Sequence, residues 1–174
     1  MATLPLPPIP TNARPTRPDA VAATFENSLG GVLRTAYQVA LSFTGQPGVA
    51  ETLVEEAALQ AFRASSVLGP GADFKVWFLG ILTDIFLTRC PEADPAAAAP
   101  ALDGTAEEIV RAIRDLPIEL RVVTAIYFTD DLRYEEIGAV LDLSVAAVRS
   151  RLHRGRRCVM RTLRSIAGQR LGVQ

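Results

Sequence analysis

Eight arginines and no Asp or Glu occupy the stretch from Leu143 to Gln174, the last part of a 174-residue sequence. Arg149, Arg151, Arg154, Arg156 and Arg157 crowd together there, with His153 among them. A guanidinium group stays charged at any physiological pH and presents a planar fork of donors, so it fits phosphate oxygens and the acceptor edge of guanine. At about 100° per residue of helix, Ala146, Ala147, Ser150 and Arg154 point one way, flanked by Arg149, Arg151, His153 and Arg157, while Val145, Val148 and Leu152 point the other. The outward face is small at its start and basic beyond it. Small side chains let a helix N-terminus sink into a major groove, and the arginines behind it then meet phosphates or base edges. The chemistry on offer is recognition of a polyanion.

A helix used this way needs a support that holds it at an angle. Tyr134 to Leu141 supplies one: Ile137, Val140 and Leu141 recur at spacings of three and four, which gathers them on one face, with Glu135 and Glu136 on the wet side. Asp142-Leu143-Ser144 interrupts the pattern. Ser144 is the expected N-cap of the second helix, its hydroxyl accepting from backbone N–H groups of the next turn. The run reads as a helix-turn-helix, with Ser144, Ala146, Ala147, Arg149, Ser150, Arg151, His153, Arg154, Arg156 and Arg157 as its DNA-facing set. Gly155, inside the second helix, costs about 1 kcal/mol of helix propensity and is expected to permit a bend there.

The formal net charge of −1 hides two halves of opposite character. Residues 1–99 hold six basic and nine acidic side chains, a balance of −3, whereas residues 100–174 hold twelve and ten, a balance of +2. A basic stripe on one helix is the footprint of a nucleic-acid partner. Catalysis finds little support. The lone His153 sits on the DNA-facing helix, no Ser-His-Asp or Cys-His arrangement is visible, and Glu135 and Glu136 are adjacent rather than opposed across a pocket. Cys90 and Cys158, without a CxxC, give neither a metal-ligand spacing nor a disulfide framework. The expectation is therefore no catalytic residue, no metal and no cofactor, in a reducing, cytoplasmic setting.

Apolar residues come in helical rather than alternating order, so the expected fold class is all-α. Residues 1–24, punctuated by proline and lacking both a basic n-region and an apolar h-region, should be a flexible tail, neither signal peptide nor membrane anchor. Residues 90–104 read as a Pro/Ala linker, since Pro95 and Pro100 bracket Ala96 to Ala99 too closely for a useful helix. Two small helical domains remain, 25–89 and 105–170. Helices are expected over roughly 25–44, 49–65 and 74–89 in the first, and over roughly 105–115, 117–128, 134–141 and 145–166 in the second. Each unit is near the lower limit for a self-sufficient core, so packing between neighbouring helices must carry the stability. The third helix is too apolar for one core: Phe78, Leu79, Ile81, Leu82, Ile85, Phe86 and Leu87 cannot all face inward, and some should form a sticky surface.

Leu116-Pro117, Val122 to Phe128, Tyr134-Glu135-Glu136-Ile137-Gly138 and Val148 through Arg156 together resemble region 4 of the extracytoplasmic-function sigma factors of bacterial RNA polymerase, members of the sigma-70 family. In that family a Leu-Pro opening, an apolar helix, a "sYeEIA" support helix and a "VkSRLhRAR" recognition helix follow one another. Phe43 to Phe62 and Phe74 to Arg89 resemble, more distantly, the "lTGdpedAEDLvQEtFlrAw" and "FraWLyrIarNlalDrlRR" stretches of region 2. The resemblance implies a division of labour, in which region 2 docks on the clamp helices of the polymerase large subunit and captures a flipped base of the minus-ten element. Region 4 reads the minus-thirty-five element of promoter DNA. Polymerase docking then falls to Glu51, Leu53, Val54, Glu55, Glu56 and Leu59, an acidic-apolar surface suited to a basic coiled-coil partner. The minus-ten contacts fall to Lys75, Trp77, Thr83 and Asp84.

Region 2 diverges where strand opening needs basic side chains: Gly80, Leu82, Thr83 and Asp84 stand where the family tends to place Arg or Asn, and only Arg89 is basic beyond them. The surplus apolar surface of this helix would be covered by polymerase, by an anti-sigma factor or by a second copy of the chain. Two functions stay open. One is a sigma factor that directs promoter-specific initiation with core RNA polymerase; the other is a sigma-like DNA-binding regulator or adaptor whose region 2 mediates protein contact or dimerisation without melting promoters.

Overall fold

A computed structural model of the chain describes residues 18–69, 71–89, 105–130 and 132–170. Seven α-helices follow in order among them: α1 Pro18–Thr44, α2 Pro47–Ala64, α3 Phe74–Arg89, α4 Thr105–Arg114, α5 Ile118–Thr129, α6 Tyr134–Leu141 and α7 Val145–Arg170. One 3-10 turn, Ser65–Val67, lies between α2 and α3, and no strand occurs among the described residues. The all-α expectation holds. Pro18 opens α1, a position where its missing N–H removes no helical bond, so the helix takes in the end of the segment read from sequence as a tail. The rest of that tail, residues 1–17, and the expected linker at 90–104 lie outside the described residues.

Helix α1 is the spine. Phe25, Val32, Ala36, Val39, Ala40 and Phe43 are buried along it at helical spacing, and α2, α3, α4 and α5 all pack against it. Leu53, Val54, Ala57 and Ala61 of α2 and Phe78, Leu79, Leu82 and Phe86 of α3 complete the front half, with the Phe43 and Phe86 rings stacked 4.7 Å apart. The same core continues through Ile113, Leu116, Val123, Ile126, Ile137, Val148, Leu152 and Val159. Neither half has to hold up alone, because burial extends across both.

One end of the seam between the halves is polar. Arg121, buried in α5, donates from Nε and Nη2 to the Leu116 carbonyl at 3.3 and 3.1 Å, and from Nη1 to the Phe43 carbonyl at 3.4 Å. Phe43 lies in the last turn of α1, where carbonyls lack intrahelical partners and a cation is favoured. Beside it Arg114, also buried, pairs with Asp115 at 3.2 Å and lies along Gly45. Gly45 ends α1 with φ 69°, its N–H donating to the Leu41 carbonyl at 2.7 Å, and a Cβ on it would stand 2.6 Å from Arg114 Cδ. Gly45→Ala should cost about 1–2 kcal/mol from the left-handed backbone alone. Thermal unfolding checks this, and an unchanged midpoint would count against the left-handed end of α1.

At the other end α6 packs on α3. Of the apolar residues on α3, Phe78, Leu79, Leu82 and Phe86 enter the core, Ile81 and Ile85 are half-buried, and Leu87 is exposed. The flank with Trp77, Gly80 and Ile81 faces Ala139, Val140 and Leu141 of α6. Part of the expected sticky surface is thus covered by the chain itself.

Candidate nucleic-acid interface

Helix α6 is fixed at its start by Glu136, whose carboxylate accepts from the Arg133 backbone N–H at 2.7 Å and from the Arg133 guanidinium at 2.9 Å. A third-position acid reaching back to the residue before the helix satisfies an otherwise orphaned donor. The guanidinium bond, then the backbone bond, hold the Glu136 carboxyl below the usual carboxylate range. Because the folded value is depressed, this contribution is present above the ordinary carboxylate pKa and is lost as pH falls through the depressed one. Glu135 is on the wet side as expected, whereas Glu136 is half-buried and tied into this cap.

The turn that follows is tight. Asp142 takes φ 50°, and the Leu143 N–H donates to the Gly138 carbonyl at 2.9 Å. A Cβ on Gly138 would stand 2.6 Å from the Leu143 carbonyl oxygen, so this form of the turn requires glycine there. The Ser144 hydroxyl accepts from the Ala147 N–H at 3.2 Å, the N-cap expected from sequence. Ile137, Val140, Val148 and Leu152 are buried between the two helices, while Leu141 and Val145 are half-buried.

On the far side of α7, Ser144, Ala146, Arg149, Ser150, His153, Arg154, Arg156 and Arg157 are exposed, and Ala147 and Arg151 are half-buried. Two of these arginines rest on rings: Arg149 lies 6.0 Å from the centroid of Tyr134, and Arg156 lies 5.9 Å from that of Tyr127. Each such contact contributes about 0.5–1 kcal/mol at an exposed site and narrows the directions a long side chain samples. Sequence reasoning misses both tyrosines, although the spacing from Tyr127 to Tyr134 equals that from Arg149 to Arg156. A groove of 630 Å³ runs alongside, lined by Tyr134, Met160 and the arginines 149, 156, 157, 161 and 164. Helix α7 runs 26 residues, so its basic stripe extends past the helix-turn-helix. Helix α7 continues unbroken through Gly155. The residue is buried against α5, where a Cβ would meet Thr124 Oγ1 at 2.1 Å and the Leu120 carbonyl at 3.6 Å, so glycine here permits close packing.

The front half rearranges the other two expected sets. Glu51, Glu55 and Leu59 are exposed on α2, and Glu56 is half-buried and ion-paired with Arg89. Leu53 and Val54 are buried in the core that α2 shares with α1 and α3, so they are off the exposed face of α2. The apolar residues that α2 exposes are Val49, Leu59 and Phe62. In the minus-ten set, Thr83 is 1% exposed and its hydroxyl donates to the Leu79 carbonyl at 2.7 Å, so it has neither the access nor the free donor to meet DNA. Trp77 is half-buried beside Phe74, Asp84 is exposed, and Lys75 pairs with Asp130 at 2.8 Å. The Asp130 hydrogen bond raises the Lys75 amine above its ordinary value against partial burial, with the charges of Asp130, Asp73 and Glu136 adding to it. Among the described residues no cluster of His, Cys, Asp and Glu can hold a metal, and no helix is long and apolar enough to cross a membrane.

The arrangement can place a small-faced helix N-terminus in a duplex groove with guanidinium groups behind it. Its residues 106–159 match the family described as sigma-70, region 4. The chain is 33% identical over 139 residues to the ECF RNA polymerase sigma factor SigE of Mycolicibacterium smegmatis, a match over 69% of this chain and 54% of SigE. It thus spans about half the length of that relative. It is 26% identical over 156 residues to the ECF RNA polymerase sigma factor SigW of Bacillus subtilis, covering 75% of this chain and 83% of SigW. The fold is similar to that of the sigma factor RpoE, solved in complex with the anti-sigma factor NepR from Bartonella quintana, with a TM-score of 0.69 at 22% identity over 81% of this chain and 97% of that one. Residues 106–159 thus match a sigma-70 region 4, and the chain is similar to the extracytoplasmic-function sigma factors SigE and SigW.

Proposed function

We propose that the chain is an initiation subunit that binds core RNA polymerase and directs promoter-specific transcription, with α7 reading the minus-thirty-five element. The observation that carries this reading is the outer face of α7: Ala146, Ser150 and Arg154 stand clear of the protein on a helix whose other side is locked to α5 and α6. Arg149 and Arg156, held beside their tyrosines, flank that face as phosphate contacts. The role is one of binding without a catalytic step, exercised in the cytoplasm beside the polymerase. Promoter DNA and the clamp helices of the polymerase large subunit are its partners, and an anti-sigma factor is a third.

On α2 the docking surface is Glu51, Glu55 and Leu59, extended by Val49 and Phe62. Leu59, 58% exposed amid acidic neighbours, is the apolar anchor. Leu59→Glu should weaken capture of core polymerase by about 1–3 kcal/mol while the chain unfolds at the same temperature. Pull-down with core enzyme checks it, and undiminished capture would remove α2 from the docking surface. Co-purification with core polymerase followed by run-off transcription on a promoter library tests the whole reading.

One observation favours a second reading, a sigma-like regulator or adaptor that does not melt promoters. Between Lys75 and Arg89, α3 carries no basic residue, and Lys75 is engaged by Asp130. Polymerase capture without transcripts would select this second reading.

A further inference from the structure

The groove beside α7 gathers Arg149, Arg156, Arg157, Arg161 and Arg164 with no acidic residue in its lining. Like charges this dense repel one another, and a free arginine loses much rotamer freedom when it closes on a phosphate. Two of the five are held beforehand. The Arg149 guanidinium lies over the Tyr134 ring, 6.0 Å from its centroid, and that of Arg156 lies over the Tyr127 ring at 5.9 Å. The two rings meet each other with centroids 6.1 Å apart, and Phe128 stands edge-on to Tyr127 at 5.6 Å. Both tyrosines are half-buried against the core, so the rings are the fixed partners and the arginines the movable ones. Arg149, Tyr134, Tyr127 and Arg156 thus form one ladder, built from α5, α6 and α7.

A ring attracts a guanidinium to its face, whereas the N–H donors of the guanidinium lie in its own plane. Stacking therefore takes hold of the cation without using its donors. A carboxylate would do the opposite, neutralising the charge and occupying the fork, and among the described residues neither arginine is ion-paired with one. Resting on the proposed function, we infer that Tyr127 and Tyr134 are positioning residues for duplex binding, which set Arg156 and Arg149 in place with their donors left open for phosphates. Seven residues of helix separate the two arginines by about 10 Å along the axis, so the ladder fixes a span as well as two directions. The ordering is completed on folding, and binding no longer bears that cost.

The first test needs no DNA. Relaxation of the arginine Nε–Hε groups by NMR should show Arg149 and Arg156 ordered in the free chain, and Arg157 and Arg161 mobile. Tyr134→Leu should release Arg149, and Tyr127→Leu should release Arg156. Equal mobility of all four in the wild-type chain would overturn the inference, whatever the chain binds. On promoter duplex, Tyr134→Leu should weaken binding about two- to fivefold, the loss of one exposed cation–π contact. Tyr134→Phe keeps the ring face and should stay within about twofold of wild type. In an Arg149→Ala chain, Tyr134→Leu should change nothing further. A tyrosine that only fills space would cost the same in both chains, and one whose hydroxyl itself met a phosphate would lose as much as Phe as it does as Leu. Either result overturns the positioning role. Tyr127→Leu against Arg156→Ala is the second cycle, and thermal unfolding shows that each variant keeps its fold. Should the Leu variants fail to fold, Arg149→Lys keeps the charge and loses the planar stack, and undiminished duplex affinity there would count against the ladder. A wild-type chain with both arginines ordered that ignores duplex DNA would instead defeat the proposed function, so the two failures are told apart.

Discussion

Gly155→Val should destabilise the chain by about 1–3 kcal/mol, the range for forcing extra methyl groups into a packed core. Isolated helix propensity points the other way, since replacing glycine by alanine in a helix interior gains about 1 kcal/mol. Packing decides the sign. A Cβ at 155 would lie 2.1 Å from Thr124 Oγ1 and 3.3 Å from Thr124 Cβ, and Thr124 is fully buried in α5, so it has no room to move aside. Even Gly155→Ala should therefore lose stability, by about 1 kcal/mol net. The Thr124 hydroxyl is buried without a hydrogen-bond partner, so Thr124→Ala gives up no bond and vacates the contested space. The double variant Gly155→Ala with Thr124→Ala should then recover most of the loss, with a coupling of about 1–2 kcal/mol in a double-mutant cycle. Urea denaturation of the four proteins measures it. Gly155→Ala at wild-type stability or above, with Thr124 in place, would show that the α5–α7 approach is looser than described.

Arg154→Ala should weaken promoter binding by about 1–3 kcal/mol and relax the sequence preference at one position, as expected when a bidentate bond to guanine is removed. Arg154 shares the outer face with Ala146 and Ser150 and lies close enough to the α7 N-terminus to reach a base edge. Arg161, seven residues on, is about 10 Å further along the axis and lines the basic groove with Arg157 and Arg164. Arg161→Ala should weaken every sequence alike and reduce the slope of log affinity against log salt by about 0.9, the amount that one neutralised phosphate contributes. Fluorescence anisotropy on cognate and scrambled duplexes across a salt series separates the two. If both variants shifted all sequences equally, α7 would be a general phosphate clamp and its assignment as a reader would fall.

The helix-turn-helix is legible in the sequence because everything that makes it is local. The spacing of Ile137, Val140 and Leu141, the Ser144 cap and the arginine run beyond it act within a few residues of one another, and so does periodicity. The exposed candidates on α7 follow from the same arithmetic once Val148 and Leu152 are taken as the inner face. On α3 that arithmetic fails, since a helix apolar on all sides has no face that its own pattern selects. The family resemblance puts Thr83 among the minus-ten contacts, yet it sits in the core with its hydroxyl turned back on Leu79. On α2 the family resemblance offers Leu53 and Val54 to a partner protein, whereas the core that α2 shares with α1 and α3 buries them. Propensity alone does not show that Gly155 packs against Thr124, because that neighbour belongs to another helix.

By itself the sequence determined an all-helical chain with a basic reading helix on a short support, since helix period, capping and charge are encoded residue by residue. Only the tertiary structure decided that the halves close on each other. The Arg121 bond to Phe43 spans 78 positions, and the flank of α3 around Gly80 faces the end of α6, about 60 positions away. Such contacts depend on where whole helices come to rest, and the burial that brings them there is non-directional, so no local pattern announces it.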